Sequence, residues 1–83
     1  MTRGEVETIV RDMLGIVLNR PIDRAESPSR ETEEGWDSVR HIELLFMLEE
    51  EFGFTFSEDE MSDLDSFGEI VEKVVARTAD THQ

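Results

Sequence analysis

The chain has 83 residues, 8 basic and 21 acidic, for a formal charge of −13, which excludes nucleic acid and anionic membranes as partners because both are bound through Lys and Arg. It has no cysteine, so disulfides, thiolate metal sites and thiol nucleophiles are out. No apolar run nears the roughly 20 residues that cross a bilayer, and no signal-peptide core stands at the N-terminus, so a soluble, cytoplasmic protein is expected. The 37% hydrophobic content argues against disorder, but so short a chain has little room for a catalytic cleft. A binding or carrier module that meets basic surfaces is expected, not an enzyme.

Val6, Ile9, Val10, Met13 and Val17, with Leu14 beside them, recur at helical spacing, and Thr2 three residues before Glu5 offers a capping box. A first helix is predicted over about 3–18, stopped by Asn19, Arg20 and Pro21. Periodicity then disappears to Trp36. This stretch holds Pro21, Pro28 and Gly35, and a connection of more than about 15 residues is usually functional. Ile22 is the expected pin to the core.

A second helix is predicted over 37–52, with Gly53 as its C-terminal cap. Ser57 before Glu60 and Ser66 before Glu69 open a short helix near 58–63 and a longer one near 67–77, the latter with Phe67, Ile70, Val71, Val74 and Val75 on one stripe. Residues 78–83 form the expected frayed tail, beginning around Arg77 and carrying His82. Phe54 and Phe56 are read as loop anchors rather than a strand. The expected fold is all-α, a single small bundle of three main helices and one short one.

The second helix carries two apolar stripes. Leu44, Leu45, Leu48 and Phe52 can fill the core, leaving Val39, Ile42 and Phe46 beside Glu43, Glu49 and Glu50. The latter set is either an exposed docking strip with an acidic rim or one more buried side of the helix. At its start, Asp37 and Ser38 suit a plain helix cap, while the free N–H groups and dipole of a first turn also favour a phosphate ester on the serine hydroxyl.

Gly35-Trp36-Asp37-Ser38-Val39, followed by Ile42-Glu43-Leu44 and Leu48-Glu49-Glu50-Glu51-Phe52-Gly53, resembles the Gly-x-Asp-Ser-Leu attachment motif and acidic helix of the acyl carrier protein family, which includes the peptidyl carrier domains. The likeness continues through Phe56-Ser57-Glu58-Asp59-Glu60 and the last helix. It implies that Ser38, with Asp37 as its motif neighbour, is esterified by 4′-phosphopantetheine from coenzyme A, whose thiol holds acyl or aminoacyl cargo as a thioester. A phosphopantetheinyl transferase using Mg²⁺ would attach it. An adenylating ligase or an acyltransferase would load it, and synthase or transferase enzymes with basic patches would receive it. Carried onto this chain, the family's partner face comprises Val39, Arg40, Ile42, Glu43, Phe46, Glu49 and Glu50, presented by a monomer.

Three residues depart from the family pattern: Val39 for the usual leucine, Arg40 for an acidic or small residue, and Trp36 before the Asp-Ser pair. Arg40 is expected to bias which transferase or loading enzyme is accepted, and the set leans toward a discrete carrier of a specialised pathway of polyketide or nonribosomal peptide type rather than housekeeping fatty-acid synthesis. His41, less than one turn from Ser38, reads as an ordinary solvent-exposed helix residue and not as a base. A calcium loop starting at Asp63 fails, with Phe67 at position 5 and Val74 at position 12, so no metal site is expected. The rival reading is a carrier-like interaction module that is never modified.

Overall fold

The computed structural model describes residues 2–79, and the element order is α1 (Arg3–Leu18), α2 (Ser38–Phe52), α3 (Glu58–Asp63) and α4 (Phe67–Ala79). Among these residues there is no strand, only an isolated bridge between Ser29 and Ser66. The last four positions of the expected tail, 80–83 with His82, lie outside the described residues.

Each helix begins and ends where its backbone groups find substitutes for intrahelical partners. Thr2 and Glu5 close a reciprocal capping box on α1, and Ser57 and Glu60 do the same on α3. α1 ends at Asn19, left-handed at φ 58°, while the Arg20 N–H turns back to the Gly15 carbonyl at 3.0 Å. A Cβ on Gly15 would sit 2.9 Å from the Arg20 carbonyl oxygen, so only glycine lets the chain double back there. Gly53 ends α2 in the same left-handed conformation, at φ 75°.

Two boundaries differ from the periodicity. α2 starts at Ser38 because Asp37 keeps an extended backbone and spends its carboxylate on the Arg40 N–H, at 2.9 Å. α4 runs two residues past 77 because tertiary contacts hold its last turn. Arg77 binds the Glu60 carboxylate at 2.7 Å and the Thr55 carbonyl at 2.9 Å, with its guanidinium over the Phe54 ring. Thr78 donates to the Val74 carbonyl. Both residues lie within the helix.

α1 packs against both α2 and α4. Val6, Val10 and Leu14 from α1, Leu44, Leu45 and Leu48 from α2, and Ile70, Val71 and Val74 from α4 are fully buried, with Trp36, Phe56, Leu64 and Phe67 closing the ends. Ile22 packs against this core from the long connection. That connection is tied down along its length. Arg20 holds Glu26 and Glu33 together at 3.0 and 2.8 Å, and those contacts keep both carboxyls below their usual range. Further on, the Phe67 N–H donates to the Pro28 carbonyl at 2.9 Å and the Arg30 N–H to the Asp65 carbonyl at 2.8 Å. Segment 28–30 is thereby stitched to the α3–α4 junction.

The two stripes of α2 predict opposite responses to truncation. Leu48→Ala should lower the stability measured by urea unfolding by about 2–5 kcal/mol. Phe46→Ala, on the uncovered side, should change it by no more than about 0.5 kcal/mol.

Candidate functional site

The start of α2 is assembled from three parts of the chain. Trp36 is buried, with 2% of its surface exposed, and this anchors the chain immediately before the helix. Asp37 caps the first turn, and Ser38, its first residue, stands exposed. The Ser38 hydroxyl oxygen accepts a hydrogen bond from Nη2 of Arg30 at 3.2 Å. The site therefore combines an accessible oxygen nucleophile, the positive end of a 15-residue helix and a guanidinium, all of which favour an anionic ester on that oxygen.

His41 is not the solvent-exposed residue expected above: three, four and seven residues before Leu44, Leu45 and Leu48, it lies on the buried stripe of α2. Only 3% of its surface is accessible. The Trp36 indole N–H donates to its Nδ1 at 3.2 Å, so Nε2 carries the proton and donates to the Met61 carbonyl at 3.1 Å. Both ring nitrogens are committed, which removes His41 as a base for Ser38. Burial pushes its pKa below the ordinary 6.5, and Arg30 adds to that, while the Met61 carbonyl and Asp65 oppose it.

Along α2, Val39 and Phe46 are 68% and 55% exposed and Ile42 is partly so. With Ser38 and Glu43 they outline one shallow groove whose surface is apolar. Phe46 also borders a depression formed with Glu49, Glu50, Gly53, Phe54 and Thr55, and a third shared with Ile16 and Val17 of α1, Arg40, Glu43 and Met47. Glu43 and Glu50 face solvent. Glu49 is half-buried and uses one carboxylate oxygen to accept the Phe56 N–H at 2.7 Å, so it anchors the Phe54–Phe56 loop as well as edging the strip. Arg40 leans back across α1, donating to the Val17 carbonyl at 3.1 Å and pairing with Asp37 at 3.2 Å.

The structure adds two residues that periodicity did not single out. Arg30 lies in a stretch without pattern, and only the tertiary stitching to Asp65 and Phe67 brings it to Ser38. Ile16, 68% exposed, extends the apolar strip onto α1; its signal was its place off the Val6–Val10–Leu14 stripe. Among the described residues no group of three or more His, Cys, Asp or Glu is placed to hold a metal ion, and no helix is long and apolar enough to cross a membrane.

A family model described as a phosphopantetheine attachment site matches residues 5–74. No curated protein matches the chain.

The His41 environment sets a sign for pH dependence. The unfolded chain takes up a proton near the ordinary histidine pKa while the folded protein resists it. Stability is therefore fully present above about pH 6.5 and is lost as pH falls toward the depressed folded value. Urea unfolding between about pH 7.5 and 5.5, above the main carboxylate range, should show a decline in wild type that is smaller in His41→Gln.

Proposed function

The chain belongs to the phosphopantetheine-attachment family, and from that premise we propose that Ser38 carries the 4′-phosphopantetheine arm and that the exposed strip of α2 presents the arm's cargo to partner enzymes. The observation that carries this reading is the exposed Ser38 hydroxyl at the start of α2 with Arg30 beside it. In the attachment reaction Ser38 Oγ bonds to the phosphorus of coenzyme A nearest the pantetheine, the pyrophosphate P–O bond breaks, and adenosine 3′,5′-bisphosphate leaves. The serine proton goes to a base on the transferase, since His41 has no free nitrogen. Once attached, the arm supplies the thiol on which acyl or aminoacyl groups are held as thioesters, a group that this cysteine-free chain lacks.

The carrier is thus a substrate of its partners and performs no turnover of its own. Val39, Ile42 and Phe46 supply desolvatable area, and Glu43, Glu49 and Glu50 steer basic patches toward it. Arg40 sits where the strip meets α1 and biases which transferase or loading enzyme docks. Trp36, Val39 and Arg40 support a specialised pathway of polyketide or nonribosomal peptide type, in the cytoplasm, with the carrier acting as a monomer that leaves α2 free.

Incubation with coenzyme A, Mg²⁺ and a broad-specificity phosphopantetheinyl transferase should add one phosphopantetheine to the intact mass of wild type and nothing to Ser38→Ala. No gain with several active transferases would favour the unmodified interaction module. For the partner face, Phe46→Ala should raise KM for a loading enzyme by about tenfold, the effect of losing roughly 1.4 kcal/mol at a docking contact. Salt should weaken the same encounter, because exposed charges are screened over about 8–10 Å.

A further inference from the structure

Among the described residues, five cations are held close to carboxylates. Arg20, Arg40 and Arg77 lie 2.7–3.2 Å from their partners. Lys73 is 3.5 Å from Glu60 and Arg3 pairs with Glu72. Arg30 is arranged differently. Its ion pair with Asp65 is long, at 3.8 Å, and its Nη2 is turned instead to the Ser38 hydroxyl. Its backbone is fixed by the Arg30 N–H to Asp65 carbonyl bond and by the Ser29–Ser66 bridge, so the guanidinium is delivered to Ser38 by main-chain contacts rather than by the weak ion pair.

An ester at Ser38 would change what this guanidinium meets. The hydroxyl would become an ester oxygen, a poorer acceptor, but two non-bridging phosphoryl oxygens sharing one negative charge would stand beyond it on the phosphorus. A guanidinium already reaching Oγ can move onto them and make two parallel charge-assisted hydrogen bonds. The added negative charge would otherwise enter a surface with Asp37 and Glu34 close in sequence, on a protein of charge −13, where repulsion opposes it.

We propose that Arg30 is the phosphodiester clamp of this carrier: a positioning residue on the long connection that binds the phosphoryl oxygens at Ser38 and fixes the root of the arm against the loop. This rests on the assignment of Ser38 as the attachment residue. Asp65 then acts as a placeholder that steadies the guanidinium without saturating it.

The test compares the protein with and without the arm, in wild type, Arg30→Gln and Arg30→Lys, after intact mass has verified attachment. The main readout is the Arg30 side-chain nitrogen signals in ¹⁵N-labelled wild type. They should shift, and guanidinium rotation should slow, when the arm is attached. The second readout is urea unfolding. Attachment should favour folding by about two- to fivefold more in wild type than in Arg30→Gln, the scale of a half-exposed charge pair, and Arg30→Lys should fall between. Unchanged Arg30 nitrogen signals on verified attachment would overturn the clamp while leaving Ser38 as the attachment residue. So would equal stability changes in wild type and Arg30→Gln. Absence of any mass gain in wild type would overturn the Ser38 assignment itself, and the clamp with it.

Discussion

Three long helices cannot surround one another completely, and this shortage of cover governs the protein. α1 and α4 shield the Leu44–Leu45–Leu48 side of α2, and nothing remains in the described chain to shield Val39, Ile42 and Phe46. An apolar strip in water costs solvation free energy unless something covers it. On the function proposed above, partner enzymes would cover such a strip intermittently, each in turn. Glu43 and Glu50 stand exposed beside it and keep its edge hydrated.

The opposite end of the same constraint is the start of α2. A short helix and a long connection would be loosely held on a core this small, yet they are tied by polar contacts that bridge distant segments. Trp36 reaches His41 and His41 reaches Met61, linking the connection, α2 and α3 through one buried imidazole. Pro28 and Arg30 join the α3–α4 junction through backbone bonds. Ser38 is exposed, but its surroundings are built from residues 28–67. Its setting is a tertiary property.

The parts of this design that repeat with the helical period were legible in the sequence. Val6, Val10, Leu44, Leu48, Ile70 and Val74 announce their buried faces, and Thr2, Asn19, Gly53 and Ser57 announce the ends. The doubled stripe of α2 also showed, because an apolar residue on the wrong face needs a reason. What could not be read depends on contacts between segments far apart in the chain. His41 falls on the Leu44–Leu45–Leu48 stripe, so its burial follows the helical period and was missed for its polar side chain, but nothing local announces Trp36 and the Met61 carbonyl as its partners. Arg30 sits in a stretch with no period, and the Ser29–Ser66 bridge that carries it to Ser38 has no local signature. The two extra residues of α4 follow a turn in which Glu60 and Thr55 grip Arg77. Glu49 reads as one more surface carboxylate, yet it holds the Phe56 N–H.

Trp36 is the only tryptophan in the chain, and it stands two residues from Ser38 with its indole nitrogen on His41. Indole emission depends on the polarity and charge of what surrounds the ring. With no tyrosine in the chain, excitation falls on this one residue with little background from elsewhere. The protein thus contains its own optical reporter, set at the root of the site. Loosening of the connection, protonation of the imidazole or engagement of the first turn of α2 by another protein all act on the same fluorophore, without any label being attached.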